Sequence, residues 1–254
     1  MRVSAALVLL FAAALNAGAA WVEKTARSEN SPAAGLVHRQ VELEDSSTGQ
    51  SATVELAVFS PKSCQLRLID NRDGASNLAD AMQAGSFLAG VNGGYFDPNF
   101  APIGLRIIEG KIIRPLVHAR LLTGVLISSR DFTQIVRVGE YAKARRNPYS
   151  AVQCGPLLVD ASHAVKGLDA ARIARRTFAV VGNDRAAVGF CSEVSLAQLS
   201  QILVSARLAD DFKVQRGLNL DGGSSSAFWF KRDRGAFSIP EQKTVRDFVA
   251  VVPK

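Results

Sequence analysis

Apolar residues recur along much of this chain at a spacing of two, in short runs closed by glycine, proline or asparagine. From Gln50 to Phe59 the positions Ala52, Val54, Leu56 and Val58 alternate, which predicts a strand. Pro61 ends it, and Gln65–Ile69 predicts the next, closed by the turn Asn71-Arg72-Asp73-Gly74. Phe87–Asn92, Leu122–Ile127, Thr133–Val138, Gly217–Leu220, Ala227–Phe230 and Phe248–Val252 read as further strands. Ile103–Ile108 and Lys111–Ile113, joined by Glu109-Gly110, form a hairpin, as do Thr177–Val181 and Ala187–Cys191 around Gly182-Asn183-Asp184. Ala151–Val159 is a strand interrupted by Gly155-Pro156, and Tyr141–Tyr149 is polar enough to be a surface loop.

The helical period shows in two places. Ser76 can cap a short helix from Asn77 to about Ala84. Ser195 can cap a long one from Leu196 to about Leu208, with Leu196, Leu199, Ile202, Leu203 and Ala206 as the buried stripe. Hairpins dominate and βαβ units do not repeat. The expected class is therefore α+β: a mixed, strand-rich sheet with one long helix and one or two short ones.

Composition adds limits. The chain has 254 residues, 48% of them hydrophobic, enough for a well-buried core. Residues 1–20 read as a secretory signal: Arg2, an apolar stretch to Leu15, then Ala17-Gly18-Ala19-Ala20. Residues 21–40 read as a linker and residues 41–254 as the folded domain, in a protein bound for the periplasm or the medium with no integral membrane segment after the signal is removed. The net charge of +7 suits an anionic partner. The cations are scattered, with small clusters at Arg145-Arg146, Arg175-Arg176 and Lys231-Arg232, and aromatics do not interleave with them, which argues against nucleic acid. Of Cys64, Cys154 and Cys191, the pair Cys154–Cys191 is favoured for a disulfide, with buried free thiols as the alternative.

Two segments carry the candidate chemistry. Leu220-Asp221-Gly222-Gly223-Ser224-Ser225-Ser226 brings a strand to an acid, two glycines and three hydroxyls. Gly90-Val91-Asn92-Gly93-Gly94-Tyr95-Phe96-Asp97 has the same design. Such a corner delivers one carboxylate to a fixed point and turns backbone N–H groups and hydroxyls toward an anion or a sugar. Asp221 is the leading acid; Asp97, Asp184 and Glu193 are weaker choices. Arg176 is suited to a phosphate because its fork spans two oxygens. Nucleotide-binding loops are absent, and Gly223-Ser224-Ser225-Ser226-Ala227 lacks the closing glycine of a hydrolase elbow. A serine triad through His118 or His163 is a minor alternative.

Five blocks occur in order: Asn92-Gly93-Gly94-Tyr95-Phe96, Pro102-Ile103-Gly104, Gln153-Cys154-Gly155-Pro156-Leu157-Leu158, Arg176-Thr177 with Gly182, and Leu220-Asp221-Gly222-Gly223-Ser224-Ser225. In this the sequence resembles the phosphodiester glycosidase family, across about residues 50 to 252. It departs from the family pattern at Phe178, where alanine usually follows Arg-Thr, and at Ser224, often a third glycine. The resemblance implies hydrolysis of a sugar-1-phosphodiester, an anionic phosphorylated carbohydrate, in envelope or extracellular glycans. It implies Asp221 as nucleophile, base or cation stabiliser and Arg176 as the phosphate holder. Asn92, Gln153, Thr177, Ser224 and Ser225 would bind the substrate, and Gly93, Gly94, Gly155, Gly222 and Gly223 would let the backbone approach it. No cofactor is expected, although a divalent cation held by Asp221 and backbone carbonyls stays open. A non-catalytic envelope protein that binds a phosphorylated glycan is the alternative, and a phosphodiesterase breaking P–O a third reading.

Overall fold

The computed structural model describes residues 21–254 apart from 34, 145, 146, 207, 210 and 211. The expected signal and the Arg145-Arg146 cluster lie outside the described residues. In chain order the elements begin with β1 (Trp21–Asn30), β2 (Leu36–Asp45), β3 (Ser51–Phe59), β4 (Cys64–Asp70), α1 (Leu78–Ala84) and β5 (Ala89–Asn92). Then come β6 (Arg106–Ile108), β7 (Lys111–Arg114), β8 (Gly124–Ser129), β9 (Phe132–Arg137), α2 (Val138–Lys143), β10 (Ser150–Cys154), β11 (Leu157–Asp160) and β12 (His163–Ala164). The last are β13 (Ala174–Val181), β14 (Ala186–Val194), α3 (Leu196–Ser205), β15 (Arg216–Asn219), β16 (Phe228–Lys231), β17 (Ala236–Ile239) and β18 (Asp247–Pro253).

This corrects the expected class. The chain is mostly β: three sheets, ordered β1-β2-β3-β14-β13-β15-β11-β12, β7-β6-β10-β8-β9 and β17-β16-β5-β18-β4. Every pairing among the described residues is antiparallel. Nor is there a long helix among the described residues. α3 keeps its Ser195 cap, closed by a capping box in which Gln198 and Ser195 bond each other's backbone, but it stops at Ser205. The apolar stripe runs on through Ala206, whose backbone is already extended, so periodicity alone overstates the length. α1 is capped by Asn77 rather than Ser76, and α2 lies partly in the expected loop.

Residues 21–40, read as a linker, carry β1 and the start of β2, which pair with each other. β1 is exposed along nearly its whole length, so it has little apolar alternation to read; Trp21 anchors it in the core. The apparent single strand 151–159 is two, β10 and β11, and they belong to different sheets. The Gly155-Pro156 step is where the chain crosses from one sheet to another.

The cores follow from these layers. One face of the eight-stranded sheet packs Phe59, Val188 and Leu218 against Val91, Phe228 and Val249 of the β17–β4 sheet. Its other face packs Phe178 and Val180 against Leu199, Ile202 and Leu203 of α3. Such a central sheet, apolar on both faces, fixes strand ends closely, and the polar corners hang from those ends.

Candidate active site

Three strand ends meet around Asn92. Its side chain is fully buried. Its Nδ2 donates to the Asp221 carbonyl at 2.7 Å, while Oδ1 accepts from the Thr177 hydroxyl at 2.6 Å and from the Ala227 N–H at 3.0 Å. Asp221 N–H donates to Gly93 O, and Leu220 N–H to Thr177 O, at 3.0 and 2.8 Å. The two glycine corners are thus tied together by the end of β5 and the middle of β13. Asn92 and Thr177 use their polar groups in this brace.

Beyond it the backbone turns. Gly222 N–H donates to Asp221 Oδ1 at 3.0 Å, and Gly223 takes a φ of 65°, a left-handed angle that favours glycine. Burial pushes the Asp221 carboxyl above its ordinary pKa; the Ser225 hydroxyl, the Lys243 charge and the Gly222 N–H pull it partly back, and the Asp247 charge pushes it further up. Ser225 and Ser226 are buried with hydroxyls that make no well-formed hydrogen bond, while Ser224 is exposed. Asn219, one position before Leu220, is also buried. Its Nδ2 donates to Tyr95 Oη at 2.9 Å and to Gly155 O at 3.0 Å, and its Oδ1 has no partner. Tyr95 Oη donates to Gly155 O at 2.6 Å, and burial raises its pKa far out of the ordinary range.

Arg176 stands beside this corner. A Cβ placed on Gly222 would lie 3.9 Å from its Cδ and Nη1. Its Nε donates to Val194 O at 2.9 Å and its Nη2 to Arg172 O at 2.5 Å. Nη1 has no hydrogen-bond partner among the described residues, and Arg176 makes no ion pair there. Burial, then the Arg172 charge, lowers its pKa. Lys243 lies 4.9 Å over the Phe96 ring. Arg176 thus approaches the Gly222 backbone next to Asp221, and no ion pair joins the two among the described residues.

The remaining predicted residues play other parts. Gln153 is fully buried and spends its amide on backbone: Oε1 accepts from Leu105 N–H and Val117 N–H at 2.9 and 3.1 Å, and Nε2 donates to Val117 O and Leu122 O at 2.6 and 3.2 Å. It holds the 115–122 loop in place. Gly155 is needed because a Cβ would fall 2.1 Å from Leu121 O. Gly93 and Gly94 pack on a buried ion pair: added Cβ atoms would meet Asp247 Oδ1 at 1.8 Å and Arg106 Nη2 at 2.1 Å. Arg106 Nε donates to Asp247 Oδ2 at 2.7 Å, and Gly94 N–H donates to Asp247 Oδ1 at 2.8 Å. Sequence reasoning missed this pair, Tyr95, Asn219 and Lys243. The signal was a charge inside an apolar run, Leu105-Arg106-Ile107-Ile108, and an amide inside Leu218-Asn219-Leu220, since groups placed so must be partnered on folding.

Asp97 accepts from Asn99 N–H and Ala101 N–H within its own turn, and Asp184 lies in the turn between β13 and β14. His163 is exposed and bonded to Ala161 O, and His118 is exposed; neither bonds a serine or acid among the described residues. The three cysteines are free and buried, not bridged, and burial lifts the Cys154 and Cys191 thiols to about 12. No group of three or more His, Cys, Asp or Glu side chains converges on a metal position among the described residues. A cleft of about 620 Å³ that includes Val181 and Arg216 lies at the opposite ends of β13 and β15 and holds none of these residues.

The mostly β fold thus carries a lone acid on a glycine corner, with a guanidinium that has one free end packed near the same corner. The chain belongs to the phosphodiester glycosidase family, whose model matches residues 85–252. Among solved structures it is similar to a zebrafish N-acetylglucosamine-1-phosphodiester α-N-acetylglucosaminidase catalytic domain auto-inhibited by its pro-peptide, at 13% identity and a TM-score of 0.66, covering 92% of this chain and 89% of that one. It is also similar to a hypothetical protein from Synechocystis, at 14% identity and a TM-score of 0.59, covering 87% of this chain and 62% of that one. No curated protein sequence matches.

Proposed function

We propose that this protein is an exported hydrolase that cleaves the glycosidic bond of sugar-1-phosphodiesters, with envelope or extracellular glycans as the source of substrate. The observation that carries the reading is that Asp221, half-buried and without an ion-pair partner among the described residues, shares its glycine corner with Arg176, whose Nη1 is unused. Family membership supports the reaction class.

In this mechanism the phosphate of the substrate is held by Arg176 Nη1 and the Lys243 ammonium. Asp221 faces the anomeric carbon, where positive charge develops as the C–O bond to phosphate lengthens. The bonding pair leaves with the phosphate monoester, which is stable as an anion and needs little proton donation. Water supplies the new oxygen on the sugar, and its proton passes to solvent. The raised pKa of Asp221 keeps the group basic enough to take that proton on the way. Asn92 and Thr177 act by holding the Asp221 backbone, and the buried Ser225 hydroxyl lies beside the Asp221 carboxyl.

The test is hydrolysis of a panel of sugar-1-phosphodiesters by the full chain and by Asp221→Asn, run in ¹⁸O-water. Free sugar carrying the label, with turnover lost by about 10³-fold or more in the variant, is the expected result. Label in the phosphate would establish P–O cleavage instead. Binding of the panel by both proteins without turnover would leave a glycan-binding protein.

A further inference from the structure

The cleft at the far ends of β13 and β15, about 620 Å³, takes no part in the chemistry proposed above. Val181 marks it on β13, five residues on from Arg176, or about 17 Å along the strand. One wall is β9, with Ile135 and Val136. The other comes from the ends of β13 and β15 and from the two-residue turn between β11 and β12. That turn holds Ala161 and Ser162 in left-handed backbone, at φ 48° and 64°. Asn-Gly is the usual choice there, and alanine and serine adopt it only where surrounding bonds hold them. Those bonds are present: Ser162 N–H donates to Gln215 O at 2.9 Å, and Gln215 N–H donates to Val181 O at 2.8 Å.

The walls are polar but carry no spare charge. Arg216 is the one charged residue of the described lining. Its Nη2 donates to Glu140 Oε1 at 2.9 Å, its Nε lies 3.2 Å from Asp160 Oδ1, and its Nη1 donates to Ile135 O at 3.1 Å, which ties the two walls together. Gln215 Nε2 donates to Asn183 Oδ1. That bond leaves Asn183 Nδ2 as a donor beside Gln215 Oε1 as an acceptor, with the Ser162 hydroxyl on the same wall; none of the three has a partner among the described residues. A donor next to an acceptor matches two adjacent hydroxyls, one accepting and one donating. Ile135, Val136 and Val181 match the C–H face of a sugar ring. A phosphate or carboxylate would find no unspent cation here.

From this cleft we infer a second binding site, for uncharged carbohydrate. It takes a neutral oligosaccharide, held apart from the catalytic corner by Asn183, Gln215 and Ser162. The inference goes beyond the proposed function and does not depend on it, since the cleft shares no residue with Asp221 or Arg176.

Isothermal calorimetry of the full chain with maltohexaose, cellohexaose and chitohexaose tests it. At least one of the three is expected to bind. The double variant Asn183→Ala/Gln215→Ala should weaken that binding about tenfold or more, and Asp221→Asn should leave it unchanged. Both altered side chains are exposed, so an unchanged melting temperature checks that the double variant is folded. No binding of any of the three would overturn the inference. So would binding that survives the double variant, or binding lost in Asp221→Asn, which would put the sugar at the catalytic corner. Tighter binding of sulfated than of plain maltohexaose would overturn it too, by showing an anion surface.

Discussion

At the scale of single residues, Asp221 has a consequence for stability as well as for chemistry. Its pKa in the folded state lies above the ordinary 3.8. The folded protein therefore favours the protonated form more than the unfolded chain does. The benefit is complete below pH 3.8, fades as pH rises through the raised folded value, and is absent at neutral pH, where the charged form carries a burial cost. Asparagine mimics the protonated group. Asp221→Asn should thus melt about 1–4 °C above wild type at pH 7, with the gap closing as the pH is lowered toward 4. An equal or lower melting temperature at pH 7 would show that the carboxylate is well solvated. The placing of Asp221 on a corner just past an apolar strand was legible in the sequence, because the two glycines that follow it are a local signal. Gln153 was not legible. Its segment advertises a polar side chain at a strand end, and nothing local reveals that four backbone groups from 105, 117 and 122 consume it.

Among the elements, the join between β5, β6 and β18 rests on the Arg106–Asp247 pair, both residues almost wholly buried. Removing one charge leaves the other without compensation, so Arg106→Met should cost about 3–5 kcal/mol in chemical denaturation. Adding Asp247→Asn should restore part of that loss, because the neutral amide can still accept from Gly94. No recovery in the double variant would mean that packing rather than charge is at stake. The α3 cap is a milder case. Ser195→Ala removes an acceptor for Gln198 N–H and should cost about 1 kcal/mol. Most hairpins were legible, since alternation and turn residues are local signals. The sheets they join were not. β10 and β11 read as one strand but serve two sheets, and β1, exposed along most of its length, carries little alternation.

For the molecule as a whole, the net charge of +7 would draw in the anionic substrate proposed above. kcat/KM on a charged phosphodiester should fall about threefold or more as salt is raised from low to physiological levels, while kcat holds. A flat profile would confine the electrostatics to Arg176 and Lys243. The brace around Asn92 has one more effect, in time rather than in space. Asn92, Thr177 and Asp221 lie 85 and 129 positions from one another through the bonds they share. No fragment of the chain contains a working corner, and no hairpin can build one ahead of the others. During refolding, the β signal in circular dichroism should return first and enzymatic competence last, which makes catalysis itself the clock that reports when the final strands have closed.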